Sequence, residues 1–230
     1  MDKIMLKAVM FVLAGIVSLQ GNANPLDTQK NRVGDFDISL QSRYTSGATI
    51  NGQNGSKADV NGGWGWGFGF GYHFTNNFAL NFDIGWNSVS YDATLVGDTV
   101  GTPSNLQGEQ LYTGTLSTNS TLFTGIYNFT NKQLTPFVSG TLGWVFIDTH
   151  IPTGPPQNWC WWDPWYGYIC SSYIPTKTET DFSYGAGLGM RYDVSRNFFV
   201  QASYNMLWID FDSTSAANFD AFRIDFGFTN

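Results

Sequence analysis

Charge is scarce in this sequence, and positive charge most of all. Lys and Arg together number 11 among 230 residues, charged residues make up 13%, and the formal net charge is −7. We therefore expect no nucleic-acid partner, because binding to phosphates needs clustered Lys and Arg. The chain is also unlike a charged disordered segment, which combines high net charge with few aromatic and apolar residues.

Long hydrophobic runs, histidine and cysteine are also scarce. A membrane-spanning helix needs ~20 consecutive apolar residues, and no segment after the N-terminal region approaches that length. A bundle of membrane helices is therefore excluded. The chain has only two histidines and two cysteines, and we expect neither a metal nor another cofactor.

Residues 1–23 are typical of a secretory signal peptide. Two lysines, at positions 3 and 7, precede an apolar run over 8–19, and small residues occupy positions 21 and 23, the two positions that a signal peptidase reads. The run is too short for a spanning helix, and an uncleaved amphipathic anchor is the alternative. We predict export and one mature domain over residues 24–230.

The abundant residues, which are aromatics (17%) and glycine (26 residues), alternate along the chain. In residues 64–74, WGWGFGFGYHF, every second residue is aromatic and glycine fills four of the five positions between. A period of two is the signature of a β-strand with two different faces. Eight segments are predicted as strands: 34–46, 64–74, 78–86, 115–129, 136–147, 182–192, 198–211 and 222–228, with the faces of 115–129 ambiguous.

Short and long connections alternate between these segments. The short turns lie near 75–77, 130–135 and 195–197, and the long connections lie near 48–63, 93–114, 148–179 and 212–218. This alternation predicts an up-and-down antiparallel meander whose two ends differ. Eight such strands can close into a barrel, which leaves no exposed edge.

The apolar face of the predicted barrel must point outward. An eight-stranded barrel encloses room only for side chains or one small ligand, which is too little for the many Phe, Trp, Tyr, Leu and Ile residues of this face. The opposite face, rich in Gly, Ser, Asn, Asp and Arg, fits a narrow polar lumen. An apolar exterior is solvated by lipid, and strands of ~10 residues match a tilted membrane crossing. We predict an all-β, eight-stranded antiparallel transmembrane barrel; a soluble, lipocalin-like barrel is an alternative.

Two motifs and the last strand resemble a known family. Residues 134–143 (LTPFVSGTLG) and 184–193 (YGAGLGMRYD) are similar to strand motifs of the small eight-stranded outer-membrane barrels of Gram-negative bacteria, the OmpA/OmpX-like superfamily. The last strand resembles the aromatic-ended signal read by the barrel-assembly machinery, although Thr229 and Asn230 follow Phe228. The resemblance implies an outer-membrane location, contact with membrane lipid and lipopolysaccharide, periplasmic termini and long loops outside the cell.

Seven charged residues fall on the face that should line the lumen. Buried charges need partners, so we expect Arg and Asp to pair across neighbouring strands. The pairs can form a polar plug that fills the lumen, or line an ion path or gate. The seven residues are Asp37, Arg43, Asp83, Arg191, Asp193, Arg223 and Asp225.

The third long connection is the most distinctive segment. Cys160 and Cys170 lie close together in the sequence, and in an oxidising compartment they are expected to form a disulfide; free thiols and, less simply, metal binding are the alternatives. Aromatic residues surround the cysteines: Trp159, Trp161, Trp162, Trp165, Tyr166 and Tyr168. Such residues anchor interfaces and stack on sugars, which predicts a host, glycan or protein partner. The alternative is a loop that folds over the barrel mouth and buries its aromatics.

These features favour a structural or surface-interaction protein rather than an enzyme. A narrow porin-like channel, or a carrier for small hydrophobic molecules, is the main alternative. A lipid-A-modifying enzyme is a further possibility that depends on His73 or on the pair Asp148 and His150. No nucleophile can be assigned to either histidine from the sequence.

Overall fold

The structure is a computed structural model that describes residues 29–51, 57–96, 109–152, 157–173, 176–210 and 217–230. The predicted signal peptide lies outside the described residues and stays a prediction, as do the parts of the long connections that fall in the gaps. Within the described ranges, no helix is long and apolar enough to cross a membrane.

The described residues form strands that pair antiparallel throughout. Their bounds are β1 Phe36–Thr45, β2 Ala48–Asn51, β3 Lys57–Val60, β4 Gly63–His73, β5 Phe78–Val96, β6 Glu109–Asn128, β7 Leu134–Pro152, β8 Gln157–Asp163, β9 Gly167–Tyr173, β10 Thr176–Asp193, β11 Phe198–Asp210 and β12 Ala217–Thr229.

Eight of these strands close into a barrel. Around the ring, each strand pairs with its two neighbours in the order β1, β4, β5, β6, β7, β10, β11 and β12, and β12 pairs with β1 to complete the ring. Ser42 of β1, for example, lies between Ile224 of β12 and Trp66 of β4. The predicted eight-stranded up-and-down barrel is confirmed.

Two hairpins stand at the end of the barrel that carries the long connections, here the long-loop end. The β2–β3 hairpin extends the wall, because β3 pairs with the part of β5 nearest the long-loop end, residues 91–94. The β8–β9 hairpin forms a separate two-stranded sheet in which Cys160 and Cys170 lie opposite each other and form a disulfide. The predicted disulfide is therefore present.

Four barrel strands are much longer than the sequence pattern predicted. β5, β6, β7 and β10 contain 19, 20, 19 and 18 residues, whereas a tilted membrane crossing needs ~10. Much of the predicted connections near 93–114 and 148–179 is therefore strand. The apolar alternation marks the lipid-facing part of a strand, and backbone pairing alone carries the strands beyond it.

The two faces of the wall are as different as the alternation predicted. Outward side chains are apolar and exposed in the isolated chain, among them Phe68, Phe70, Leu80, Leu142, Leu188 and Phe226. Aromatic residues mark both ends: Phe74, Phe78, Tyr127, Phe129 and Phe228 at the short-turn end, and Trp64, Trp66, Trp86 and Trp144 toward the long-loop end. Several form ring contacts, such as Trp66 with Trp86 at 4.7 Å between centroids. Aromatic girdles of this kind mark the two membrane interfaces.

Candidate functional site

The lumen at the short-turn end is filled by a cluster of charged side chains. Arg191 of β10 donates a short hydrogen bond to Asp37 of β1 and another, of 3.0 Å, to Asp193. His73 Nε2 lies 2.9 Å from Asp37 Oδ2, and the Arg191 guanidinium lies 3.8 Å from the centre of the Phe199 ring. We call this cluster the lower layer. Each charge in it has a partner of opposite sign, as buried charges require.

Arg32 completes the lower layer from outside the barrel strands. The residue is fully buried, and its Nη2 donates to Asp193 Oδ2 at 2.5 Å, to the Lys132 carbonyl at 2.7 Å and to the Thr135 hydroxyl at 3.0 Å. The segment before β1 thus folds across the short-turn end. The alternating pattern that marks the strands does not reveal Arg32, because this residue precedes it.

A second cluster, the middle layer, lies above the first, that is, farther along the lumen toward the long-loop end. Arg223 of β12 contacts Asp83 Oδ2 at 3.3 Å and Asp225 Oδ2 at 3.1 Å. Gln41 and Thr124 also donate to Asp83, at 2.5 and 2.8 Å. Small residues make room for these groups.

Gly69 shows why glycine occupies so many inward positions. A Cβ at this position would lie 2.5 Å from Gln41 Nε2 and 2.9 Å from Asp83 Oδ1, which is too close for either side chain to remain where it is. The glycines opposite the aromatic positions therefore leave space for the polar network of the lumen.

The structure places all seven charged residues selected from the sequence inside the barrel. Asp37, Arg191 and Asp193 lie in the lower layer, Asp83, Arg223 and Asp225 in the middle layer, and Arg43 on its upper side, where Nη1 lies 3.5 Å from Ser120 Oγ. With Arg32, four arginines accompany four aspartates. Two cavities among these side chains measure about 10 Å³ each, which is room for about one water molecule.

The upper part of the lumen, toward the long-loop end, is apolar, in contrast to the predicted polar lumen. Val145, Ile147, Ile209 and Phe219 point inward and form one cluster, against which Ile50 of the β2–β3 hairpin packs. A second cluster contains Val60, Tyr91 and Ala93. The expectation of a polar lumen therefore holds for most of the lower and middle layers, where Ala79, Ile126 and Phe137 form a small apolar cluster beside the charges, and it is wrong above them. The signal was present, because Val145 and Ile147 share the inward parity of Ser139 and Gly143.

A cavity of about 220 Å³ lies between the middle layer and the β2–β3 hairpin. Arg43 and Ser120 line it on the side of the middle layer, and Ile50 and Val60 line it on the side of the hairpin. The walls between them are mainly aliphatic. A small apolar molecule could occupy this space.

The β8–β9 hairpin exposes its aromatic side chains. Trp162 pairs with Tyr168 across the hairpin, and the Asp163 carboxylate accepts hydrogen bonds from the backbone N–H groups of Trp165 (2.9 Å) and Tyr166 (3.0 Å). These bonds shape the turn, and the disulfide joins the two strands. The exposed fractions are 72% for Trp159, 42% for Trp161, 73% for Trp162, 85% for Trp165, 83% for Tyr166 and 68% for Tyr168. The alternative in which the loop buries these aromatics over the barrel mouth is not what the structure shows.

A family comparison agrees with this architecture. The model of the outer membrane protein β-barrel domain matches residues 11–229. The chain belongs to this family. Its barrel is accordingly an outer-membrane protein of the kind found in Gram-negative bacteria, which is the class that the sequence motifs resembled.

Solved structures of small outer-membrane barrels resemble this family member. OprG of Pseudomonas aeruginosa matches with a TM-score of 0.53 at 14% identity, over 89% of this chain and 99% of OprG. Neisserial surface protein A matches with a TM-score of 0.48 at 15% identity, over 85% of this chain and 97% of that protein. Ail of Yersinia pestis, solved with the heparin analogue sucrose octasulfate, matches with a TM-score of 0.46 at 14% identity, over 86% of this chain and 99% of Ail. At such identities the likeness concerns the fold alone. No curated protein matches the chain significantly.

The two histidines of this outer-membrane barrel lie at opposite ends. His73 is buried in the lower layer beside Asp37, whereas His150 is exposed near the end of β7, where Nδ1 lies 3.1 Å from the Thr115 carbonyl oxygen and 3.7 Å from Asp148 Oδ1. The two therefore cannot act in one site. Within the described residues, no three His, Cys, Asp or Glu side chains are grouped to hold a metal ion.

Proposed function

We propose that this outer-membrane barrel is a non-catalytic surface-interaction protein whose β8–β9 hairpin binds carbohydrate outside the cell. The observation that carries the proposal is the exposure of six aromatic side chains on one disulfide-linked hairpin. Monomeric proteins rarely present such a patch to water without a use for it. The barrel holds the hairpin at the long-loop end, which we expect to face outward.

The chemistry of the hairpin favours a neutral sugar surface as its partner. Trp and Tyr combine a flat apolar face with a polar edge, and they supply contact area with little loss of side-chain entropy. The described hairpin carries one charged residue, Asp163, beside neutral polar groups such as Asn158 and Ser172. Recognition by charge is therefore a poor fit, whereas stacking on sugar rings with hydrogen bonds at the margin fits well.

The lower and middle layers have a structural part in this proposal. Their paired arginines and aspartates fill the lumen and tie β1, β10 and β12 together across the barrel. A rigid barrel keeps the hairpin at a fixed place above the membrane. The role does not require that anything passes through the lumen.

The test is to remove aromatic faces from the hairpin without changing the barrel. A variant with Trp162→Ser, Trp165→Ser and Tyr166→Ser is compared with the unchanged protein for binding to a panel of immobilised neutral and acidic oligosaccharides. Aromatic hot spots cost ~2 kcal/mol or more when truncated, so we expect binding to weaken about thirtyfold or more.

The matched control replaces an equally apolar exposed side chain away from the hairpin. Val33 lies at the short-turn end and is 52% exposed, so Val33→Ser should bind as the unchanged protein does. Heat-dependent gel migration confirms that each variant is a folded barrel. Binding that survives the triple substitution, or that no sugar of the panel supports, refutes the proposal.

A further inference from the structure

The apolar cavity in the upper lumen differs sharply from the rest of the barrel interior. Protein interiors pack with few voids larger than a water molecule, and the two cavities found among the charged layers measure about 10 Å³ each. The upper cavity measures about 220 Å³. An apolar cavity of ~150 Å³ stays dry and can hold benzene, so this one is large enough for a small organic molecule.

The walls of the cavity come from strands on opposite sides of the ring. Leu122 of β6, Val145 and Ile147 of β7, Leu207 and Ile209 of β11 and Phe219 of β12 point into it. All of these positions belong to the inward face, which nearer the short-turn end carries mainly glycine and polar residues, with a small apolar cluster of Ala79, Ile126 and Phe137 among them. The change in chemistry coincides with the cavity, and apolar walls exclude ligands that must keep their water.

The side of the cavity toward the middle layer offers hydrogen-bond donors without surplus charge. Arg43 and Ser120 line it there, with Nη1 of Arg43 only loosely bound to Ser120 Oγ at 3.5 Å. In the middle layer, Arg43 and Arg223 are balanced by Asp83 and Asp225. The charged residues that line the cavity are Arg43 and Glu179, so an anionic ligand would meet a carboxylate as well as a guanidinium group, and burying its charge would lack compensation.

We propose that this cavity binds a small, uncharged, apolar molecule that places one hydrogen-bond acceptor beside Arg43. An aromatic or short aliphatic alcohol has this chemistry. The site is independent of the hairpin proposed to bind carbohydrate, since the cavity lies inside the barrel and the hairpin aromatics lie outside it.

The experiment measures binding of benzyl alcohol, toluene and benzoate to the barrel in lipid nanodiscs by saturation-transfer NMR, with empty nanodiscs as the background. We expect saturable binding of benzyl alcohol, weaker binding of toluene and no saturable binding of benzoate. Arg43→Gln should weaken the binding of benzyl alcohol and leave the binding of toluene unchanged. No saturable binding of any probe, or a preference for benzoate, overturns the proposal.

Two variants locate the site. Ile147→Phe fills the cavity from β7 and should weaken the binding of benzyl alcohol at least about tenfold. If this variant does not fold, Ile209→Phe fills the cavity from β11 and should have the same effect. Val138→Phe is the matched control, because Val138 lies on the lipid face of the same β7 strand. Equal binding by the control and a folded cavity-filling variant contradicts the proposal.

A measurement on the unchanged protein gives the location without any substitution. A photoreactive diazirine analogue of benzyl alcohol should label the inward residues around Ile147 and Ile209, and an excess of benzyl alcohol should suppress the labelling. Labelling confined to outward residues such as Val138 would show that the probe partitions into lipid only, which overturns the proposal.

Discussion

Arg191 is the residue on which most contacts of the lower layer depend. Its guanidinium bridges Asp37 and Asp193 and also donates to the Thr229 hydroxyl at 2.9 Å. Removing one partner from a buried ion pair costs ~3–5 kcal/mol, because a charge is left uncompensated. We expect Arg191→Ala to lower the free energy of unfolding by roughly this amount, measured by urea titration of the barrel in lipid vesicles.

The control for this substitution is an arginine that has no buried partner to lose. Arg196 lies exposed in the short turn that follows β10, and Arg196→Ala should leave the unfolding midpoint unchanged. Equal effects of the two substitutions would show that the lower layer adds nothing to stability. The position of Arg191 could be predicted from the parity of its strand, whereas Arg32 lies before β1 and only the fold reveals that it reaches Asp193.

At the scale of elements, the β8–β9 hairpin depends on its disulfide more than the barrel does. Closing a loop of this size stabilises it by ~2–3 kcal/mol on the chain-entropy estimate, and the hairpin is a sheet separate from the barrel. The double variant Cys160→Ser and Cys170→Ser should therefore keep the heat-dependent gel migration of the barrel.

The same variant should be cut in the hairpin by chymotrypsin roughly thirtyfold faster or more, because the opened hairpin is more populated. Ser171→Ala, in the strand that carries Cys170, is the matched control and should be cut at the original rate. An unchanged cleavage rate in the double variant would mean that other contacts restrain the hairpin.

The elements also show where prediction from the sequence stops. Alternation identified all eight barrel strands because each has a lipid-facing stretch, as in β4 from Gly63 to His73. It gave no sign of the β2–β3 hairpin, whose four-residue strands are too short to show a period. The alternation also predicted that β5 ends near Trp86, because the part of the strand beyond that residue extends out of the membrane and needs no apolar face.

The whole molecule combines two levels of lumen chemistry in one barrel. Below, paired charges fill the space between the strands; above, aliphatic side chains surround a cavity. The polar part follows from the sequence, because Gly, Asp and Arg alternate with aromatics. The apolar part is indicated only by the inward parity of residues such as Val145 and Ile147, because the length of the strands beyond the membrane decides which residues cover the cavity.

This division predicts that the barrel does not conduct ions. An ion needs a continuous water-filled path, whereas the cavities found in the lower and middle layers each have room for about one water molecule. Three buried arginines are paired with four aspartates, and these pairs would have to separate before water could connect the two ends, which is costly. In planar lipid bilayers we expect no steady current from the unchanged protein. Removing one middle-layer pair alone, with Asp83→Ser and Arg223→Ser, should still give no steady current, because the ion pairs of the lower layer continue to close the lumen at the short-turn end. Stable current steps from the unchanged protein would show that the layers form a gate rather than a plug.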